Sequence, residues 1–441
     1  MMSGSNSEQS RREPLDLPEI NEYTHRAHRF PGKFHPPLVA QILDKYDEHD
    51  VIVDPMCGSG TTGVEAVVNG RDVILNDIDP LSALISRGKT NAVDAKRFVT
   101  LRDQILDNIG ELPEEGDLNE EEALTIVEQN IKNKPYVKPY NIFHWFEPYV
   151  AAGYSELLDT AYSTMDGESG EIQDAIHLSL AAMVRQISRA DPDPVSGLEV
   201  TKVRKKELEE GVDFDVEQSF RQVSNRLARG YEELADVEEL GAAEVWEKNA
   251  KQLSEPVLNS DLDPSLVITS PPYCNAIEYS RRHRLEYEWL GLFNDEGVDD
   301  PRDERIEASR EFFGSVTPTQ DMLQDLEDVP HEEIRELTAD IESDGHERKA
   351  NLLRKYFLDS YDWISEIREF LPEGGVFCLI IGPSTSYGRR VNTPDFLRDI
   401  AQEQGFEVND RHDYLLKNNK MQYPTDGETT DTESLIEFRA V

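Results

Sequence analysis

The chain has 441 residues, with 89 Asp and Glu against 45 Lys and Arg and a formal net charge of −44. Its 38% hydrophobic content supports a packed core and excludes an acidic disordered protein. Three cysteines without short spacing exclude a disulfide framework or zinc site. No apolar run reaches membrane-spanning length, and the polar start lacks a signal peptide's apolar centre, so a cytoplasmic setting without membrane contact is expected.

Residues 1–24 read as a disordered tail. His25, His28 and His35 follow, but Arg26, Arg29 and Lys33 among them would repel a cation, so no metal is expected. Val51-Ile52-Val53 reads as a buried strand running into Asp54-Pro55-Met56-Cys57-Gly58-Ser59-Gly60-Thr61-Thr62. Gly58 and Gly60 allow the backbone to pass close to a ligand. Thr61 or Thr62 is expected to cap the helix continuing through Val64, Ala66 and Val67. Asp54 would order this turn. A second strand, residues 72–75, ends in Asn76-Asp77-Ile78-Asp79-Pro80. Asp77 lies 77 − 54 = 23 residues beyond Asp54, the place of the ribose-hydroxyl acceptor in nucleoside-binding α/β folds.

Residues 95–243 are mostly helical by pattern. Residues 171–189 set Ile172, Ile176, Leu180, Met183, Val184 and Ile187 on one face, residues 214–240 form a second long helical region, and Asp191-Pro192-Asp193-Pro194 breaks the chain between them. Leu266-Val267-Ile268 is a further strand, stopped by Pro271 and Pro272 in Thr269-Ser270-Pro271-Pro272-Tyr273. A hydroxyl, a rigid carbonyl and an aromatic ring are thus presented at a strand's carboxyl end, where open α/β sheets bind ligands. Residues 291–355 form an acidic second insert, residues 376–381 another strand, and residues 407–440 a closing hairpin. Strands alternating with helices give an α/β fold with a mostly parallel, doubly wound sheet, interrupted by a mainly helical insert.

Lys202, Arg204, Lys205 and Lys206 form one basic cluster, and Arg281, Arg282 and Arg284 another. In so acidic a chain these local reversals point to nucleic-acid contact, although charge runs are often only solvated faces. Arg389 with Arg390, and Lys417 with Lys420, are smaller clusters.

Together the 54–62 turn, Asp77 and the 269–273 loop resemble the S-adenosylmethionine-dependent DNA amino-methyltransferases, cytosine-N4 and adenine-N6 enzymes. The resemblance implies a Rossmann-like class I methyltransferase fold, with residues 25–94, 244–290 and 356–441 as catalytic domain and 95–243 as a possible target-recognition insert. It implies that Asp54, Pro55, Cys57, Gly58, Ser59, Gly60, Thr61, Thr62 and Asp77 hold the cofactor. It also implies that Lys33 and Phe34 cover its methionine end, and that Asn249 stands where relatives carry Asp near the adenine. Ser270, Pro271, Pro272 and Tyr273 would be catalytic. Ser before the prolines is the form associated with cytosine N4. The order of the two loops, reversed in many such enzymes, keeps adenine N6 and RNA bases open as alternatives. The partner implied is double-stranded DNA with a flipped-out base; a companion restriction enzyme and the oligomeric state stay open. A catalytically silent DNA-binding protein on the same scaffold would show eroded loops, and Asp77 and Tyr273 are both present.

The expected chemistry needs no covalent enzyme intermediate. A base amine is a weak nucleophile because its lone pair is delocalised into the ring. Acceptors aimed at its hydrogens, here the Ser270 hydroxyl and the Pro271 carbonyl, would localise that pair, and Tyr273 would stack on the base. Cys274, after Tyr273, reads as a small buried hydrophobe.

Overall fold

The apolar runs line up in one twisted sheet. A computed structural model describes residues 12–14, 22–192, 197–274, 279–293, 301–315, 317–324, 326, 328–386, 388–415 and 432–441. Its strands, in chain order, are β1 (Arg12–Pro14), β2 (Val51–Asp54), β3 (Asp72–Asn76), β4 (Ala243–Trp246), β5 (Leu266–Thr269), β6 (Val376–Ile381), β7 (Ser384–Ser386), β8 (Arg389–Val391), β9 (Phe406–Leu415) and β10 (Thr432–Ala440). Eight of these form a sheet in the order β1-β9-β10-β6-β5-β2-β3-β4, and β7 and β8 pair separately. The neighbours β4, β3, β2, β5 and β6 run parallel, whereas β10 is antiparallel to both β6 and β9. This is a Rossmann-like, mostly parallel α/β arrangement.

Helices cover both faces. α1 (Pro36–Lys45) and α2 (Thr61–Val68) lie on one side, and α3 (Pro80–Thr90) follows β3. The stretch between β3 and β4 then carries α4 (Ala95–Asn108), α5 (Glu120–Asn130), α6 (Ile142–Trp145), α7 (Pro148–Thr164), α8 (Gly170–Val184), α9 (Lys202–Glu210) and α10 (Val216–Ala235). After it come α11 (Ser254–Leu258), α12 (Tyr279–Arg282), α13 (Arg284–Leu290), α14 (Pro301–Ser309), α15 (Glu332–Ser343), α16 (Glu347–Phe370) and α17 (Thr393–Glu403). No helix among the described residues is long and apolar enough to cross a membrane.

The central strands β2, β3, β5 and β6 are mainly apolar because both faces are covered. Alternation sends Ile52, Leu266, Ile268 and Ile380 toward α1, packed with Leu38, Val39 and Ile42. It sends Val53, Val267, Phe377 and Leu379 to the opposite face, against Phe357 and Trp363 of α16 and Leu397 of α17. Each such side chain contributes about 1.5–3 kcal/mol by leaving water. A third core, around Phe98, Tyr154, Leu178, Phe220 and Trp289, joins the helical insert to α3 and α13.

Several details differ from the sequence expectation. Arg12–Pro14, read as part of a disordered tail, pairs in parallel with β9, Arg12 opposite Asp413. Strands this short and polar carry no periodic signal. Neither Thr61 nor Thr62 caps α2. Gly60, in the left-handed region at φ 68°, is the cap residue, and the two hydroxyls bond elsewhere. The boundary placed between 355 and 356 falls inside α16, which runs unbroken across it. α8 stops at Val184, although Ile187 beyond it is also buried. Lys417 and Lys420 lie outside the described residues.

Candidate active site

The site grows from the carboxyl ends of β2, β3 and β5. Asp54 ends β2. Its carboxylate accepts from the Thr62 hydroxyl at 2.6 Å, the Thr269 hydroxyl at 2.8 Å and the Met56 amide at 3.2 Å. One buried side chain thus ties the glycine turn to the strand that carries the second motif. Burial pushes Asp54 up to about 6, while the two hydroxyls and the amide oppose the shift.

The turn needs its glycines. Gly58 has φ 48° and Gly60 φ 68°, and a Cβ on Gly60 would lie 2.7 Å from the Ser86 hydroxyl oxygen. The Gly58 amide donates to Asp77 at 2.8 Å, and the Asp79 amide donates to the other Asp77 oxygen at 3.0 Å. Burial first, and then the Asp79 carboxylate, push Asp77 up to about 7. Beneath the turn, fully buried Lys89 donates to the Ser59 carbonyl at 2.5 Å, with its ammonium held well below the usual range by burial.

The segment before α1 is pinned by buried polar contacts. His25 Nε2 meets the Glu65 carboxylate at 2.7 Å, and Lys33 donates to the His25 carbonyl at 2.5 Å. Burial lowers Lys33 to about 8 and raises Glu65 to about 7. Lys33 therefore braces the segment, and Phe30, Gly32 and Phe34 face the site. Phe30 stacks on Tyr279, with ring centroids 5.6 Å apart.

A hollow joins these pieces. It is lined by Asp54, Pro55, Cys57, Gly58, Ser59, Asp77 and Asn249 from the cofactor set, and by Ser270 and Pro272 from the 269–273 loop. Lys33, Gly60, Thr61, Thr62, Pro271 and Tyr273 are not in its lining. Gly60, Thr61 and Thr62 shape the turn from behind. The Tyr273 hydroxyl instead donates to Glu433 at 2.7 Å, and the Pro272 carbonyl accepts from the Tyr356 hydroxyl at 3.0 Å. Cys274 is buried beside Thr393, and burial raises its thiol, which is unsuited to nucleophilic attack.

Sequence reasoning missed one wall. Glu311, Phe312 and Phe313 from the second insert line the hollow together with Lys251, Tyr279, Asp359 and Trp363. Phe313 stacks on Tyr356 at 4.5 Å and meets Trp363 edge-on at 6.1 Å. Lys251 pairs with Asp359 at 2.9 Å, and Asn249 accepts from the Lys251 amide at 3.0 Å. The adjacent aromatics Phe312-Phe313 before Gly314, inside an otherwise acidic stretch, were the available signal.

The basic clusters divide. Lys202, Lys205 and Lys206 are exposed on α9, but Arg204 is 6% exposed and donates to the Ser188 carbonyl at 2.9 Å beside Glu207. Helical spacing turns that one member of the run inward, so it is a strut. Arg281 is exposed, Arg282 is half-buried, and Arg284 bonds Glu288 at 2.8 Å while lying over the Tyr140 ring. Arg389 pairs with Asp340 and Asp344.

Residues 26–107, which hold the glycine turn and Asp77, match the family model of the UPF0020 RMKL-like methyltransferase domain. The likeness to a methyltransferase domain is thus carried by the strand–turn–helix unit around Asp54 and Asp77. The chain is also similar to several methyltransferases. The type II methyltransferase M.MjaII of Methanocaldococcus jannaschii is 35% identical over 85 residues, 19% of this chain and 16% of that one. The type II methyltransferase M.MvaI of Kocuria varians is 33% identical over 81 residues, 18% of each. The type II methyltransferase M.BsoBI of Geobacillus stearothermophilus is 25% identical over 292 residues, 62% of this chain and 53% of that one. The chain thus spans between about a sixth and about half the length of these relatives. Residues 26–107 supply Asp54, Asp77 and the glycine turn, and β5 brings Ser270 and Pro272 to the same hollow.

Proposed function

We propose that the chain is an S-adenosylmethionine-dependent DNA methyltransferase that modifies an exocyclic base amine, cytosine N4, on a flipped-out base. The observation that carries this reading is the single hollow shared by the 54–59 turn, Asp77, Ser270 and Pro272. The likeness to type II methyltransferases supports the substrate class.

The residues fit the cofactor. Asp77 offers a carboxylate toward the hollow for ribose hydroxyls, and Gly58 leaves a space in which a Cβ would lie 3.2 Å from the Phe30 ring. Phe30 and Phe34 would cover the methionine end, and Asn249 and Trp363 would lie at the adenine end. When bound, S-adenosylmethionine supplies an electrophilic methyl group. The chain's own work is then positional. Ser270 offers its hydroxyl at the wall of the hollow to accept an amine hydrogen and draw the lone pair onto nitrogen, and Pro271, outside the lining, stiffens the turn. Asp54 holds the loop that carries them at a fixed distance from the turn. The aromatic walls exclude water. The exposed Lys202, Lys205, Lys206 and Arg281 would meet phosphates.

The test is incubation with methyl-labelled cofactor and either DNA or transfer RNA in high salt, followed by digestion and identification of the labelled nucleoside. N4-methylcytosine is expected. Label on adenine would overturn the base assignment, and label confined to transfer RNA would overturn the substrate class.

A further inference from the structure

Tyr273 leaves the wall of the hollow to the residues before it and turns its hydroxyl toward the end of the sheet. There it donates to Glu433 at 2.7 Å. Glu433 precedes Ser434, which pairs with Ile381, the last residue of β6. Because β10 is antiparallel to β6, its beginning reaches the edge where β5 and β6 end, beside the hollow. Gly382 follows β6 at the same place. A Cβ there would lie 3.3 Å from the Tyr273 hydroxyl and 3.4 Å from its ring, so the ring rests directly on the strand end. Burial raises both the Glu433 carboxyl and the Tyr273 phenol, and the phenol keeps its proton as donor.

The corner is therefore held at three points. The Thr269 hydroxyl bonds Asp54, the Tyr356 hydroxyl bonds the Pro272 carbonyl, and Tyr273 bonds Glu433. The first two secure its beginning and middle. Among the described residues, the third fixes its far end to the antiparallel strand. A carboxyl taken out of water needs such a partner, and a phenol so placed has one direction to point.

We infer that Glu433 is a positioning residue for the 270–273 corner, acting through the Tyr273 hydroxyl to keep Ser270 at the wall of the hollow. This rests on the proposed reading of that corner as the methyl-acceptor site. Displacement of an aligned group by about 1 Å can cost on the order of 100-fold in rate. At saturating cofactor, Glu433→Ala in the full chain is expected to lower kcat about 10- to 100-fold, with the KM for cofactor close to wild type. Glu433→Gln, whose amide oxygen still accepts, should stay within about threefold. Tyr273→Phe should reproduce the loss, and the double variant should lose no more than either single one. Should Glu433→Ala fail to fold, Tyr273→Phe and Glu433→Gln carry the comparison alone. An unchanged kcat in Tyr273→Phe, additive losses, or Glu433→Gln as slow as Tyr273→Phe would overturn the inference. A wild-type chain that binds S-adenosylhomocysteine yet methylates no nucleic acid would instead overturn the acceptor-site reading.

Discussion

Replacing Asp77 by Asn separates what this carboxylate costs the fold from what it contributes to ligand binding. Burial and the Asp79 carboxylate raise Asp77 from 3.8 to about 7. The folded chain therefore keeps a proton over a range in which the unfolded chain has released it. Stability is then greatest in acid, falls as pH rises from the unfolded value to the folded one, and is level above about 7. Between pH 5 and 7, two units at ~1.36 kcal/mol each give a fall of about 3 kcal/mol, which water in the hollow reduces to about 1–2 kcal/mol. Asn carries no such proton. The difference in unfolding free energy, mutant minus wild type, should move in the mutant's favour by that amount over the same range. Ligand binding should go the other way. Ribose hydroxyls favour the ionised acceptor, so wild-type affinity for S-adenosylhomocysteine should rise with pH up to about 7. Loss of two bonds to a charged acceptor should weaken the mutant by about 3 kcal/mol, on the order of 100-fold, at pH 8. Denaturant unfolding at pH 5, 6, 7 and 8 in constant salt, with calorimetry at pH 8, measures both. A stability difference that stays flat with pH, or an unchanged affinity, would refute the reasoning.

Ser270→Ala should lower turnover about 100-fold or more while leaving cofactor affinity near wild type, measured by single-turnover methyl transfer and calorimetry; a fall in cofactor affinity instead would assign Ser270 a different role. Lys202→Ala and Lys205→Ala should each reduce the salt slope of DNA binding by about one in fluorescence titrations. Arg204→Ala should leave that slope alone and cost about 1–3 kcal/mol of stability, because the Ser188 carbonyl loses its buried donor. With a net charge of −44, the thermal midpoint should climb as KCl rises from 0.1 to 2 M, since the screening length drops from about 10 Å to a few Å; a midpoint indifferent to salt would show that repulsion among the acidic groups does not limit stability.

The legible parts of the sequence were those in which local pattern and tertiary role coincide. The β2, β5 and β6 runs are apolar because both faces are covered, and Gly58, Gly60 and Asp77 are local requirements of one strand–turn–helix unit. The aromatic wall was hidden because Phe313 and Trp363 reach the hollow from separate elements, far in sequence from either motif. Arg204 was misjudged for a related reason. A run of charges says nothing about which member a helix turns inward. The Asp54–Thr269 bond joins residues 215 positions apart, a separation no local pattern encodes.

The helical body of α4 to α10 leaves the sheet after α3 and returns at β4, and β4 pairs directly with β3. Two parallel neighbours must in any case be linked by an excursion over one face of the sheet, whose length their register does not limit. An added module fits there without shifting the strands that carry Asp54, Asp77 and Ser270. The length of the excursion can therefore change while the parallel strands that carry Asp54, Asp77 and Ser270 keep their register.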